Sequence, residues 1–585
     1  MSYMSRYRDW LVSDYFDDQT KKELEAIKDD EQEIEERFYK NLDFGTGGMR
    51  GKMGAGTNRI NKYIVRKATQ GLANYIINYS DHGREQGVVI AYDSRHNSPQ
   101  FALEAALVLA ANGIKTYLFE GMRATPELSF AVRDLKAVGG IVITASHNPP
   151  EYNGYKLYWQ DGGQVVPEQA RDIIAEIEEI DDFSIVKTMT KKEALAEGLL
   201  NYIGSELDQK YLNTLLEVLP ETELAAAKGS NLKIVYTPLH GTGSTVVPQL
   251  LADLGFNNLA VVQEQADGDS NFSTVESPNP EEVSAFDLAL DLAEKEEAEL
   301  IIATDPDCDR MAAAVRDQDH NYQFLNGNEV GALFADFLLK TKKEAGTLTE
   351  QGVIIKSIVS TDLVVDIAAA FGVEVLDVLT GFKFIGEKIT EFENEDSKVD
   401  AKDFILGFEE SLGYLIGKYA RDKDAAVAAG LFSIMALKYQ AAGSSVLERL
   451  AELRAKYGYY LEDLHSIRLE GKEGQEKITK TIAHLREKCP EQIADFKVEK
   501  IKDYKQSKLF DLEAETETEL ELPQSNVLQY LLADDLKLTI RPSGTEPKLK
   551  FYFAVRADTQ SAAAEKLEGF KTKVMAEIEK LMQDI

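Results

Sequence analysis

The sequence predicts three α/β domains in series, followed by a fourth domain of α+β type. Three observations predict this. A strand, a polar turn, a Gly-ended helix and a second strand recur in the same order at three places. The texture becomes strongly charged and alternating after about residue 455. Finally, 585 residues are too many for one hydrophobic core, so about three to five domains are expected.

Residues 1–40 are charged and helix-prone, as in Lys21-Lys22-Glu23-Leu24-Glu25-Ala26-Ile27, and their amphipathic pattern predicts a helical arm packed on the first domain. The first repeat follows. Val88 to Asp93 reads as a strand, Ser94 to Pro99 as a polar turn and Gln100 to Asn112 as an alanine-rich helix. Gly113 ends that helix, and Ile114 to Phe119 forms the next strand. The second copy runs from Leu232–Tyr236 through His240-Gly241-Thr242-Gly243, a helix to Leu254, Gly255 and Leu259–Val262. The third runs from Val353–Lys356 through Ser360-Thr361, a helix to Ala370, Gly372 and Val373–Leu376. Each copy is a βαβ unit, which requires a right-handed crossover and a parallel neighbour. Three copies imply domains related by duplication. Beyond them, Gly471–Lys480 and Asp511–Glu521 are strongly charged and Leu536–Ile540 alternates like a half-exposed strand. Lys548–Val555 follows, with a long helix from about Ser561. The expected domains are 1–205, 206–322, 323–455 and 456–585.

With 44% hydrophobic and 28% charged residues, the composition is that of an ordinary globular protein. A formal charge of −35 argues against nucleic-acid or anionic-membrane partners, because the protein's own field repels phosphate backbones. A small phosphorylated substrate then needs local Arg and Lys clusters. The two cysteines, Cys308 and Cys489, cannot form a disulfide framework. Residues 1–10 lack the apolar core of a signal peptide, and no apolar run approaches membrane-spanning length. A soluble, cytoplasmic protein is expected.

Two segments carry the strongest chemistry. The apolar run Gly139–Ile143 stops at Thr144-Ala145-Ser146-His147-Asn148-Pro149-Pro150, and Leu300–Ala303 stops at Asp305-Pro306-Asp307-Cys308-Asp309-Arg310. Three carboxylates at alternate positions after a strand turn toward one point and suit Mg²⁺, with positions left for a phosphate oxygen and water. An EF-hand calcium loop also begins D-x-D-x-D, but its sixth and twelfth positions would be Arg310 and Arg316, not Gly and Glu. Ser146 lies where a strand's carboxyl end opens into a loop, the usual place for ligands in α/β sheets. It is not a nucleophile-elbow serine, and His147, its immediate neighbour, is not expected to reach back easily as its base. A serine that carries a phosphoryl group facing a metal loop explains both segments.

Three further segments are candidates. Thr539-Ile540-Arg541-Pro542-Ser543-Gly544-Thr545-Glu546-Pro547 offers a guanidinium, hydroxyls and a Gly turn, an anion cradle suited to phosphate. In Gly407-Phe408-Glu409-Glu410-Ser411, a carboxylate and a hydroxyl can pair with sugar hydroxyls. Phe44–Gly51 is Gly-rich but fits neither the Walker A nor the dinucleotide fingerprint.

In this order and over almost the whole chain, these segments resemble the α-D-phosphohexomutase superfamily, and within it the phosphoglucomutase/phosphopentomutase branch. The resemblance implies four domains around a central cleft: three similar α/β domains with mixed sheets, and a C-terminal α+β domain. It implies interconversion of α-D-glucose 1-phosphate and glucose 6-phosphate through a phosphoserine and a glucose 1,6-bisphosphate intermediate. A phosphopentomutase or a phosphomannomutase activity is the alternative.

Residue by residue, Ser146 matches the phosphorylated serine. Asp305, Asp307 and Asp309 match the Mg²⁺ ligands, with a Ser146 phosphoryl oxygen completing the site. His147 and Lys156 match the candidates for proton transfer and charge stabilisation, and Arg50 the arginine of the N-terminal Gly-rich segment. Arg310 matches a substrate contact beside the metal ligands, Glu409, Ser411, Thr380 and Gly381 match sugar contacts, and Arg541, Ser543, Gly544 and Thr545 the phosphate loop. Relatives of the phosphomannomutase/phosphoglucomutase type carry a histidine after the sugar loop, where this chain has Leu412-Gly413-Tyr414. Lys423, in Arg421-Asp422-Lys423-Asp424, is the candidate for the missing cation. Small-molecule sugar phosphates are the expected partners, and a monomer or homodimer the expected assembly.

Overall fold

The computed structural model of the protein describes residues 2–45, 47–394, 401–469, 471–488, 490–543 and 548–584. The chain falls into two compact units, Met1–Gly327 with Phe382–Gly443, and Asn328–Gly381 with Ser444–Ile585.

The first unit begins with the arm, three short helices at Tyr3–Val12, Asp18–Ala26 and Glu31–Phe38. Ser2, Asp17 and Asp30 each cap one by accepting the N–H three residues on. Their apolar faces meet in an aromatic cluster of Tyr7, Trp10, Phe16 and Phe38 with Tyr63 of the helix Lys62–Tyr79. Trp10 stacks on Phe16 with ring centroids 4.1 Å apart. Each fully buried ring is worth roughly 1.5–3 kcal/mol, so the arm is part of this unit's core.

A mixed sheet follows, in the order Gly48–Lys52, Tyr152–Trp159, Gly139–Ile143, Val88–Tyr92, Thr116–Phe119, Leu200–Ile203. The last four strands run parallel, and Tyr152–Trp159 is antiparallel to both of its neighbours. The predicted first repeat is here. Val88–Tyr92 leads into the helix Ser98–Ala111, Gly113 turns the chain in the left-handed region at φ 74°, and Thr116–Phe119 returns in parallel. The second mixed sheet runs Tyr322–Leu325, Met311–Arg316, Leu300–Thr304, Ile234–Thr237, Leu259–Val261. Its last three strands are parallel, and two of them, Ile234–Thr237 and Leu259–Val261, form the second repeat. Also in this unit, Asp403–Glu409 pairs antiparallel with Gly413–Leu415, ahead of the helix Ala425–Ala441, which is buried from Ala425 through Leu437.

The second unit contains the third repeat, where Gly352–Ser357 and Glu374–Val378 run parallel on either side of the helix Leu363–Ala369. It also contains one antiparallel sheet, in the order Tyr459–Arg468, Lys548–Ala557, Leu536–Pro542, Leu528–Leu532, Phe496–Asp503, Lys508–Asp511, Thr516–Glu519. Ile478 and Ile482 of the helix Gly471–Lys488, and Phe570 and Val574 of the helix Gln560–Asp584, complete its core. This is the α+β texture expected after residue 455. Among the described residues no single helix is long and apolar enough to cross a membrane.

One buried carboxyl in this unit has a measurable consequence. Glu462 Oε2 accepts from Asn328 Nδ2 at 3.1 Å, whereas Oε1 is buried without a hydrogen-bond partner. Burial pushes its pKa up to about 7 from 4.5. The folded state therefore keeps a proton that the unfolded chain loses. That contribution is complete below about pH 4.5 and is lost as the pH rises through about 7. Glu462→Gln is expected to flatten this slope and to stabilise the unit by up to about 3 kcal/mol at pH 8. Denaturant melts at pH 5 and pH 8 check it; an unchanged pH slope in the variant refutes it.

Candidate active site

The strand Gly139–Ile143 is buried along its whole length, and its carboxyl end delivers Ser146 to the edge of the sheet. The backbone turns there, with Ser146 in the left-handed region at φ 50° and only 3% exposed. Thr144 fixes that turn, its Oγ1 accepting the Ser146 N–H at 2.8 Å. Gly154 on the adjacent strand permits the approach, since a Cβ there would stand 2.4 Å from the Thr144 carbonyl oxygen. Ser146 Oγ donates to Asp305 Oδ2 at 2.5 Å, across 159 residues of sequence. It also lies 3.1 Å from His147 Nδ1. That corrects the expectation that His147 cannot reach its neighbour, because left-handed φ at Ser146 swings consecutive side chains to one side. Burial pushes the His147 imidazole well below its usual range, helped by Arg310 and Arg50, so it is neutral at physiological pH.

The aspartate loop leaves Leu300–Thr304 in the second sheet. Asp305 Oδ1 accepts the N–H groups of both Asp309 and Arg310 at 3.0 Å, which curls the loop back on its first residue. Thr125 braces it from the first domain: its N–H donates to the Asp307 carbonyl at 2.9 Å, and its Oγ1 to Asp307 Oδ2 at 3.0 Å. All three carboxylates are at most 1% exposed, and their ligand-type oxygens lie within 4.8 Å of one another.

Such a cluster holds together only if its charge is offset. Lys156 Nζ lies 2.7 Å from Asp307 and 3.3 Å from Asp309, Lys423 Nζ lies 2.9 Å from Asp309, and Arg310 Nε lies 3.9 Å from Asp309. Burial pushes the Lys423 ammonium down, but Asp309 and Asp422 outweigh it and hold it well above the usual lysine range. Two oxygens, Asp307 Oδ1 and Asp309 Oδ1, are buried without a hydrogen-bond partner. Unpartnered carboxylate oxygens converging in a dry site are what a hard cation requires, so the triad can hold a metal ion.

Lys423 is placed by its neighbours in sequence. Asp424 caps the helix Ala425–Ala441 through the N–H groups of Ala426 and Val427, and accepts the hydroxyls of Tyr211 and Tyr419, both at 2.6 Å. Asp422 accepts the Tyr158 hydroxyl at 2.7 Å. The lysine stem then crosses Gly413, where a Cβ would stand 2.4 Å from Lys423 Cδ. Gly413 therefore belongs to the sugar-loop motif because Lys423 lies over it. Glu409, 5% exposed, ends the strand before that turn and supports the charges of Arg310 and Lys423. Ser411 is half-buried in the turn itself. Arg50, exposed on Gly48–Lys52, donates to Asn148 Oδ1 at 2.7 Å and so rests on the serine loop.

The first unit thus brings together Ser146, His147, Lys156, Asp305, Asp307, Asp309, Arg310 and Lys423, with Arg50 and Glu409 beside them. The remaining candidates lie in the second unit. Thr380, whose Oγ1 is buried without a partner, and Gly381 form the turn after Glu374–Val378. Arg541 lies on Leu536–Pro542 opposite Lys550, and the Ser543 N–H donates to the Lys548 carbonyl at 2.8 Å. Gly544 and Thr545 lie outside the described residues. Sequence reading missed Asp93, Arg95, Thr125 and Thr144. Asp93 and Arg95 lie at the end of the first predicted strand, the place where α/β sheets carry ligands, which was the available signal.

Three family models match, described as phosphoglucomutase/phosphomannomutase alpha/beta/alpha domains I, II and III, over residues 41–183, 209–318 and 326–457. The chain is 36% identical over 571 residues to a phosphoglucomutase of Staphylococcus aureus (strain MRSA252), covering 97% of each. It is 37% identical over 557 residues to one of Staphylococcus haemolyticus, covering 95% of this chain and 96% of that one. Among solved structures, the open form of pp63/parafusin, a phosphoglucomutase from Paramecium, shares the fold with a TM-score of 0.67 at 17% identity, covering 93% of this chain and 96% of that one. A phosphoglucomutase/phosphomannomutase family protein of Burkholderia thailandensis does so with a TM-score of 0.64 at 19% identity, covering 91% and 97%.

Proposed function

Because the chain belongs to the phosphoglucomutase/phosphomannomutase family and is an intramolecular phosphotransferase, we propose that it interconverts α-D-glucose 1-phosphate and glucose 6-phosphate, with Ser146 as the phosphoryl carrier. The observation that carries this reading is the 2.5 Å hydrogen bond from Ser146 Oγ to Asp305 Oδ2. It sets a hydroxyl nucleophile directly on the metal loop, as phosphoryl transfer requires.

In the forward half-reaction the substrate's free hydroxyl attacks the phosphorus on Ser146. The Ser146 Oγ–P bond breaks, a glucose 1,6-bisphosphate forms, and the departing Ser146 Oγ takes up a proton in place of the one the attacking hydroxyl loses. In the return, Ser146 Oγ takes the other phosphoryl group and its proton passes to His147, neutral and 3.1 Å away, while the sugar O–P bond breaks and that sugar oxygen takes up a proton. Asp305, Asp307 and Asp309 would hold Mg²⁺, which supplies charge neutralisation at the transferring phosphoryl oxygens.

Asp307 and Asp309 face Lys156 and Lys423 at 2.7 and 2.9 Å, while Arg310 is paired with Glu281 at 3.0 Å and lies 3.9 Å from Asp309. Lys156 and Arg310 are further proposed to contact the phosphoryl group and the substrate, Arg50 to hold the serine loop, and Glu409 and Ser411 to pair with sugar hydroxyls. For Thr380 and Gly381 the proposed role is a sugar contact, and for Arg541, Ser543, Gly544 and Thr545 phosphate binding.

Peptide mass spectrometry of the purified chain tests the reading. A phosphoryl adduct on Ser146 that is lost with glucose 6-phosphate and regained with glucose 1,6-bisphosphate is expected. A Ser146 that the bisphosphate cannot phosphorylate refutes it. An adduct discharged by ribose 1-phosphate and not by the hexose phosphate would move the substrate to the pentose class.

A further inference from the structure

The serine loop is held by a buried ion pair to which neither the metal loop nor the substrate contacts assign a role. Arg95 is 1% exposed, with its side chain wholly buried, in the turn after Val88–Tyr92. Its guanidinium sends nothing toward the candidate substrate site. Nη1 donates to the carbonyls of Pro149 at 2.8 Å and Tyr152 at 3.1 Å; Nη2 donates to that of Ser146 at 2.5 Å and to that of Asn148. Nε lies 3.3 Å from Asp93 Oδ2, and the plane lies over the Phe272 ring at 4.9 Å. Asp93 closes the circuit. Its Oδ2 also accepts from Thr144 Oγ1 at 2.6 Å, and Thr144 Oγ1 in turn accepts the Ser146 N–H.

Both main-chain polar groups of Ser146 thus end on one unit, in which Asp93 accepts the Thr144 hydroxyl and the Arg95 main-chain N–H at 3.0 Å and pairs with the Arg95 guanidinium through charge. Burying an arginine is costly unless its donors are satisfied, and four of them here go to the carbonyls of residues 146, 148, 149 and 152. The planar fork fixes four acceptors in one geometry, which a lysine's single ammonium cannot do. The loop it fixes carries a non-glycine residue at φ 50°, a conformation that persists only when its surroundings impose it.

Resting on the reading of Ser146 as the phosphoryl carrier, we propose that Asp93, Arg95 and Thr144 are positioning residues. They hold Ser146 in the left-handed turn that aims Oγ at the metal loop, and touch neither substrate nor the transferred group. The site is then rigid on the serine side, so that the same Oγ both gives and takes back a phosphoryl group without a change in the loop.

The test uses the full chain with Arg95→Lys, Arg95→Ala and Thr144→Val, and Ser146→Ala as control. Displacing a reacting atom by about 1 Å costs on the order of 100-fold, so Arg95→Lys is expected to lower kcat by about that factor with KM within about threefold. Thr144→Val keeps the shape and removes both hydrogen bonds, and is expected to lower kcat about tenfold with KM unchanged. Methylguanidinium should restore part of the kcat of Arg95→Ala and none of that of Ser146→Ala, a response that lost stability alone would not give. Parental kcat in folded Arg95→Lys overturns the proposal. If Arg95→Lys does not fold, Thr144→Val decides, and parental kcat there overturns it. A parent chain that cannot be phosphorylated on Ser146 sinks the carrier reading instead; a parent that turns over and variants that match it sink the positioning role alone.

Discussion

Ser146→Ala is expected to abolish mutase turnover, by about four orders of magnitude or more, while the chain stays folded. The change deletes one atom, and the structure says what that atom does. Oγ donates to Asp305 Oδ2 at 2.5 Å and lies 3.1 Å from His147 Nδ1. On the proposed reading this hydroxyl is the phosphoryl carrier, so the variant lacks the acceptor. The loop's own anchors are main-chain groups: the Ser146 N–H on Thr144 Oγ1 and the Ser146 carbonyl on Arg95. They survive the substitution. Asp305 Oδ2 loses its hydrogen bond in a buried site, a cost of about 1–3 kcal/mol before a cation occupies it. A modest fall in melting temperature is therefore expected beside a complete loss of rate. A coupled assay for glucose 6-phosphate, read with thermal melts, separates the two; turnover above a hundredth of the parent's refutes the nucleophile assignment.

The repeats were legible because their signals are local. Gly113, Gly255 and Gly372 close their helices at φ 74°, 97° and 71°, and each closure is followed by the parallel strand that the pattern required. Ser146 and Asp305 were legible for a different reason. Each ends a buried parallel strand in residues whose chemistry makes sense only opposite the other, although 159 residues separate them. Three features were hidden. Nothing in Thr-Ala-Ser-His announces a left-handed serine, so the reach of His147 to its neighbour could not be read. Arg95 bonds to main-chain carbonyls, which every residue possesses, so its partners leave no mark in the sequence. The acidic stretch after Asp511 contains the strand Thr516–Glu519, exposed at every position, and a strand with no buried face has no apolar alternation to reveal it.

Asp309→Asn is expected to be strongly damaging, because it alters a candidate metal ligand and removes a counter-charge together. Asp309 is 1% exposed and faces Lys423 at 2.9 Å, Lys156 at 3.3 Å and Arg310 at 3.9 Å. Burial pushes its carboxyl up, yet the three cations, Lys423 first, outweigh that and hold it far below the ordinary carboxylate range. Neutralising it takes a buried counter-charge from the half-buried Lys423 and Lys156. Breaking a buried pair from one side costs about 3–5 kcal/mol. Loss of one of three oxygen ligands is expected to raise the Mg²⁺ needed for half-activation at least tenfold and to lower kcat/KM by about three orders of magnitude. These two losses come apart in a double variant. Lys423→Met keeps a stem of similar length over Gly413 and removes the cation closest to Asp309. Added to Asp309→Asn, it restores the balance of charge but not the ligand. Stability should recover by about 1–2 kcal/mol while activity stays low, a coupling of the size found between buried charged neighbours. If the double variant is no more stable than Asp309→Asn alone, the lysine does not owe its place to this carboxylate. If its activity returns with its stability, Asp309 serves the site as a counter-charge only, and the metal is held by Asp305 and Asp307 without it.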